Sequence, residues 1–148
     1  MLMGDKYIAW LSNLSKKDLS LAGGKGANLG EMSQAKFPVP GAFVVTTKAF
    51  HYFIKETKIQ DQINEILRKV DVDESEDLMK KAEEIREVIT STEIPEDLKK
   101  EIIEAYDNFN IDLDALKDSP GALAILKSSR EPIFVSVRSS STTEDLEN

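Results

Sequence analysis

Short apolar runs and longer stretches of helical spacing alternate along this chain. Residues 7–11 and 43–46 are brief apolar runs bounded by polar or turn-forming residues, and each predicts a β-strand. Residues 133–137, with the sequence Ile-Phe-Val-Ser-Val, form the clearest run of this type. These runs therefore predict strands near both ends of the chain.

Between these runs, apolar residues recur every three or four positions, which is the spacing of amphipathic helices. Thr46 or Thr47 is suited to cap the first helix, and Pro95 with two following acids marks the start of the fourth. A shorter helix is expected over residues 122–126. The predicted fold class is α+β, with a helical middle and strands near both ends. The apolar stripes of the four longer helices are Phe50, Phe53 and Ile54; Ile59, Ile63, Ile66, Leu67 and Val70; Leu78, Ala82, Ile85 and Ile89; and Leu98, Ile102, Ala105 and Phe109.

Composition narrows the class of protein. The 148 residues are 41% hydrophobic, which is enough for a globular core, and they include no cysteine. A net charge of −8 disfavours nucleic-acid binding, although a nucleotide needs only one or two well-placed cations. No secretory signal and no apolar stretch of membrane-spanning length is visible. We expect a soluble cytoplasmic protein that binds neither nucleic acid nor membrane.

A glycine-rich turn with one lysine, Gly23-Gly24-Lys25-Gly26, precedes a stretch of helical spacing. Such a turn can direct backbone N–H groups at an anion, and the lysine adds a flexible cation. Its spacing matches neither the P-loop pattern nor the dinucleotide-binding pattern, whose third glycine would fall at Leu29. Phosphate binding and a plain helix-entry turn with a solvated lysine are both open, and in either case a helix begins near Lys25.

A single arginine, Arg138, follows the predicted strand of residues 133–137 and precedes a run of hydroxyl residues. Strand ends often carry functional groups, and a guanidinium offers a planar fork of donors that suits phosphate. Ser139, Ser140 and two following threonines could add neutral donors. The alternative is a surface arginine that pairs with an acid at positions 144–145.

Three segments together carry a specific resemblance: residues 21–32 (LAGGKGANLGEM), residues 37–46 (FPVPGAFVVT), and residues 137–140 (VRSS) with 144–146 (EDL). In order and approximate spacing they resemble the N-terminal part of the ATP-binding domain of the phosphoenolpyruvate synthase (pyruvate, water dikinase) family. Pyruvate phosphate dikinase and rifampin phosphotransferase share this front end and are the alternative members. The resemblance covers essentially the whole chain.

The resemblance implies an ATP-grasp-like nucleotide-binding domain, of which residues 1–148 would form an incomplete N-terminal subdomain. It also implies ATP and Mg²⁺ as ligands. The implied partners are the remaining domains of the same enzyme, which carry a phosphohistidine and a pyruvate-binding barrel. Full-length members convert pyruvate, ATP and water to phosphoenolpyruvate, AMP and phosphate through that histidine.

Two cations carry over from the resemblance as contacts to the ATP phosphates, Lys25 and Arg138. No catalytic residue and no metal ligand carries over, because the single histidine, His51, lies in no family motif. The acid-rich stretch of residues 71–87 alternates with basic residues and predicts a solvated helix face. We expect these 148 residues alone to be inactive; the alternative is a free-standing module that binds a nucleotide or a protein without catalysis. The further predicted site residues are Gly23, Gly24, Gly26, Ser139 and Ser140.

Overall fold

Two short strands begin the fold. The computed structural model describes residues 7–109, 111, 118–129 and 131–143. Strands β1 (Ile8–Trp10) and β2 (Phe43–Val45) pair in antiparallel register, with Trp10 opposite Phe43. Their rings meet edge-on with centroids 5.4 Å apart, and such cross-strand aromatic pairs stabilise antiparallel sheets. Both strands predicted in the first third of the chain are confirmed.

Six α-helices are found in the described residues. The hydroxyl of Thr46 caps the second helix by accepting a hydrogen bond from the Ala49 N–H at 3.3 Å. Pro95 lies directly before the fifth helix rather than inside its first turn. The small sheet and the helical middle confirm the α+β class, and no helix in the described ranges is long and apolar enough to cross a membrane. The helices are α1 (Leu19–Gln34), α2 (Thr47–Thr57), α3 (Gln60–Leu67), α4 (Ser75–Ser91), α5 (Glu96–Asp107) and α6 (Pro120–Ser129).

The apolar stripes of the helices meet in two clusters. Residues of α2, α3 and α5 form the larger cluster, and apolar side chains of α4 pack against it. A smaller cluster of Ala9, Leu14 and Ala22 joins β1 to the start of α1, with Val44 of β2 packed against it. The smaller cluster therefore holds the glycine-rich part of α1 beside the sheet. Buried members of the larger cluster are Ala49, Phe53, Ile54, Ile59, Ile63 and Leu98.

Helix α1 is interrupted at one residue, Gly23, whose backbone has φ 70° and ψ 172°. Residues 19–22 therefore form a first turn, and a longer helical segment continues from Gly24 to Gln34. The prediction of a helix start near Lys25 fits the longer segment but misses the preceding turn. That turn continues a 3-10 helix at residues 16–18, which a capping box between Ser15 and Asp18 initiates.

Residues 133–137 are not a strand, so the prediction of a strand near the C-terminal end is wrong. They adopt no regular secondary structure, and the side chains of Phe134 and Val137 are 103% and 92% exposed. A strand is stabilised by ladder hydrogen bonds to a neighbour. The sheet in the described part of the chain contains only β1 and β2, so this apolar segment has no neighbouring strand there. Both strands consequently lie within the first 45 residues.

The acid-rich stretch forms the exposed face of α4, as the alternating charges predicted. The Lys81 ammonium donates to the Glu84 carboxylate at 2.8 Å, and the Arg86 guanidinium pairs with Glu83. The hydrogen bond from Lys81 to Glu84 raises the pKa of that lysine above its usual 10.5. Two acids on this face, Glu83 and Glu84, are thus paired with bases about one helical turn away.

Candidate functional site

The glycine turn of α1 and the last described segment of the chain are hydrogen-bonded to each other. The Gly24 N–H donates to the Ser141 carbonyl at 2.9 Å. The Gly26 N–H donates to Ser140 Oγ at 3.1 Å, across 114 positions of sequence. The Ser140 hydroxyl in turn donates to the Ala22 carbonyl at 2.7 Å. We call these three hydrogen bonds the serine clasp, and they join two segments that are far apart in sequence.

Gly23 allows the two joined segments to approach this closely. Its combination of φ 70° and ψ 172° is one that essentially only glycine adopts. A Cβ atom at this position would collide with the carbonyl group of Ser140, whose carbon would lie only 2.6 Å away. Glycine is therefore required at position 23 by its own backbone conformation and by the contact with Ser140.

The predicted cations lie on the two segments that the serine clasp joins. Lys25 is half-buried and lies between Gly24 and Gly26. Both glycines donate hydrogen bonds to residues 133–141, which we call the arginine segment. Arg138 is exposed and lies two positions before Ser140. The structure thus brings the segments that carry Lys25 and Arg138 into direct contact at the start of the longer part of α1.

The hydroxyl groups beyond Arg138 differ in what they contact. Ser139 is exposed, whereas the single hydroxyl proton of Ser140 is already donated to the Ala22 carbonyl. The Ser141 hydroxyl lies 3.0 Å from that of Thr143. Residues 144 and 145, the acids considered as partners of Arg138, lie outside the described residues.

A shallow depression between α3 and α4 is a competing location for a ligand. It has a volume of about 580 Å³ and lies away from the glycine turn. Two carboxylates, Glu84 and Glu87, line it, and no lysine or arginine does. An acidic lining disfavours a negatively charged triphosphate. The depression is therefore a poorer phosphate site than the clasped segments.

Sequence reasoning missed a second close approach of α1, at Gly30. A Cβ atom there would lie 2.5 Å from the Leu14 carbonyl oxygen, which accepts a hydrogen bond from the Gln34 side chain at 2.8 Å. The available signal was spacing, because Gly26 and Gly30 are four positions apart, which puts them on one face of the longer helical segment. The absence of a side chain at Gly30 lets α1 lie against the backbone of Leu14.

A glycine turn at the start of a helical segment, with a lysine inside it and an arginine segment bonded to it, has the elements of an anion-binding site, and nucleotide-binding domains use such sites for phosphates. Comparison with known families agrees with that class. Residues 19–148 match the family described as "Pyruvate phosphate dikinase, AMP/ATP-binding domain", and the chain belongs to this family.

Similar curated proteins are phosphoenolpyruvate synthases. The probable phosphoenolpyruvate synthase of Methanocaldococcus jannaschii is 47% identical over 141 residues, which cover 95% of this chain and 11% of that relative. The phosphoenolpyruvate synthase of Pyrococcus furiosus is 34% identical, over 97% of this chain and 20% of its own length. That of Neisseria meningitidis is 35% identical, over 97% and 17%. The chain thus spans 11–20% of the length of these three relatives.

Proposed function

We propose that this chain forms the phosphate-binding part of the ATP-binding domain of a phosphoenolpyruvate synthase. Lys25 and Arg138 are the proposed cations that face the ATP phosphates. The serine clasp is the observation that supports this proposal, because it joins the two segments that carry these cations. An ammonium and a guanidinium supply complementary donors to phosphate oxygens, the first as a point charge and the second as a planar fork.

The remaining residues of the proposed site shape the space around the phosphates. Gly24 and Gly26 already donate their N–H groups to the arginine segment, so we assign these glycines a role in shape. The absence of a side chain at Gly23 lets Ser140 lie close to this backbone, which sets the position of the arginine segment beside Lys25. The N-terminal end of the longer α1 segment carries a partial positive charge, which favours a negatively charged phosphate nearby. The residues proposed to border the phosphates are Gly23, Gly24, Gly26, Ser139 and Ser140.

The names of the relatives indicate the reaction of the whole protein. We propose that it converts pyruvate, ATP and water to phosphoenolpyruvate, AMP and phosphate in the cytoplasm, through a phosphohistidine. The histidine and the pyruvate site would belong to further domains, because His51 is exposed on α2 and has no part in the clasped site. Residues 1–148 would then be the N-terminal subdomain of an ATP-grasp-like domain.

Mg²⁺ belongs to the proposal as a companion of the nucleotide. Among the described residues, no group of three or more histidine, aspartate or glutamate side chains could hold a metal ion. Mg²⁺ is usually bound by substrate phosphates together with only one or two carboxylates. We therefore propose that the ion arrives on the ATP phosphates, while Lys25 and Arg138 neutralise the remaining charge. Positioning and charge neutralisation account for most of the catalysis of phosphoryl transfer.

Lys25→Ala is the substitution that tests the proposed function, and it is made in the whole protein as its gene encodes it. We expect kcat/KM for ATP to fall by about 100-fold, because preorganised groups at a developing charge contribute rate factors of this order. The assay measures AMP formed from ATP with and without pyruvate. Lys127→Ala, which removes an exposed lysine of α6, is the matched control and should leave kcat/KM unchanged.

Two results of this assay would contradict the proposal. The first is a Lys25→Ala variant as active as the parent protein. The second is a parent protein whose AMP formation does not depend on pyruvate. AMP formation that depended on rifampin instead would assign the chain to the rifampin phosphotransferases.

A further inference from the structure

We propose that Ser140 is a positioning residue that sets the spacing of Lys25 and Arg138 by holding the glycine turn, and that its hydroxyl is not a phosphate ligand. This inference rests on the proposed ATP site and concerns the role of one side chain within it. Its chemical basis is that one hydroxyl serves two buried backbone groups on opposite sides of Gly23.

The donor capacity of the Ser140 hydroxyl is used on the glycine turn. Its single proton is donated to the Ala22 carbonyl at 2.7 Å, and its oxygen accepts from the Gly26 N–H at 3.1 Å. Ala22 and Gly26 are both buried, so water does not replace these bonds readily. A phosphate oxygen can only accept hydrogen bonds, and Ser140 has no second proton to donate to it.

The residues that form the hydrogen bonds of Ser140 are close in sequence to both Lys25 and Arg138. Lys25 is covalently joined to Gly26, and Arg138 is separated from Ser140 by one residue. The bond from Gly24 to Ser141 adds a second tie on the other side of Lys25. Two hydrogen bonds that flank the lysine restrict both the distance and the orientation between the glycine turn and the arginine segment.

The arginine segment has a second anchor among the described residues. On the other side of Arg138, Ile133 exchanges two hydrogen bonds with the Tyr106 hydroxyl, at 2.8 Å and 2.9 Å. Between these anchors the segment has no regular secondary structure, and Phe134 and Val137 are exposed. Arg138 therefore lies between an anchor at Ile133 and the serine clasp. Loss of the Ser140 hydroxyl would leave the bond from Gly24 to Ser141 as the remaining bond of the clasp and would loosen the C-terminal side of Arg138.

A double-mutant cycle on ATP affinity tests this inference in the natural gene product. Calorimetry with MgATP compares the parent protein with Ser140→Ala, Lys25→Ala and the double variant. We expect Ser140→Ala to weaken ATP binding about tenfold in the parent and no more than about twofold when Lys25 is already alanine. Ser128→Ala is the control, because the Ser128 hydroxyl also donates to a backbone carbonyl, at 3.0 Å, but on exposed α6.

The outcomes separate this inference from the proposed function. Failure of the parent protein to bind ATP would contradict the proposed function. ATP binding by the parent, with equal fold-losses from Ser140→Ala in both backgrounds or with no loss, would overturn only the positioning role. If Ser140→Ala does not fold, the same cycle is run with Ser140→Cys, whose thiol keeps a weak donor and acceptor. A smaller loss that still requires Lys25 supports the role, and a loss independent of Lys25 overturns it.

Discussion

Gly23→Ala is expected to open the serine clasp and to weaken ATP binding by about tenfold or more. An alanine held in the backbone conformation of Gly23 costs about 1–3 kcal/mol, and about 1.4 kcal/mol corresponds to tenfold in affinity. The added Cβ would lie 2.6 Å from the carbonyl carbon of Ser140 and would therefore displace that carbonyl group. Moving Ser140 away would separate the arginine segment from Lys25.

Amide hydrogen exchange reports this opening directly. The N–H groups of Gly24 and Gly26 donate across the clasp, so their exchange should accelerate at least about tenfold in Gly23→Ala. Gly121→Ala in α6 is the matched control, because a Cβ there would meet no described atom within 4 Å beyond its chain neighbours and the backbone of its own helix. Unchanged exchange at both glycines in Gly23→Ala, together with unchanged ATP affinity, would show that the close approach of Ser140 is not needed.

Gly30→Ala is expected to lower the free energy of unfolding by about 2 kcal/mol, the middle of the usual range for overpacking. Its Cβ would lie 2.5 Å from the Leu14 carbonyl oxygen and 2.6 Å from the Leu14 carbonyl carbon. Backbone atoms cannot rotate out of the way as a flexible side chain can. Helix α1 would have to move away from Leu14, which is buried in the smaller cluster.

Denaturant unfolding measures this loss, with Gly121→Ala again as the control. The control should be neutral or stabilising by up to about 1 kcal/mol, since alanine is a better helix former than glycine. The helix-propensity gain at position 30, in the interior of α1, is at least as large as at position 121, in the first turn of α6, so the difference between the two variants gives a lower limit for the cost of the contact with Leu14. A Gly30→Ala protein as stable as the control variant would contradict the close packing of α1 on residues 14–18.

Local patterns in the sequence were sufficient to predict most of the helices and strands. Helical spacing and the cap at Thr46 identified α2 to α5, and apolar runs identified β1 and β2. These elements depend on interactions within a few residues of sequence or on burial of one face. The run at residues 133–137 has the same local preference, but strand formation also requires a neighbouring strand that local pattern does not report.

The residues of the candidate site could be proposed from the sequence, but the contacts between them could not. The glycine turn and Arg138 were recognisable from the sequence, whereas the bonds that join them were not. Ser140 was expected to donate to phosphate, and only the coordinates reveal that its proton goes to the Ala22 carbonyl. A single hydroxyl in a run of serines and threonines carries no local signal for a contact 114 positions away.

An NMR titration of the ¹⁵N-labelled protein with MgATP tests most directly whether the two cation-bearing segments bind one nucleotide. We expect amide shifts to change in residues 22–27 and 137–141 together, along a single binding curve, while the depression between α3 and α4 is unaffected. Changes confined to one of the two segments, or centred on Glu84 and Glu87, would contradict a shared phosphate site.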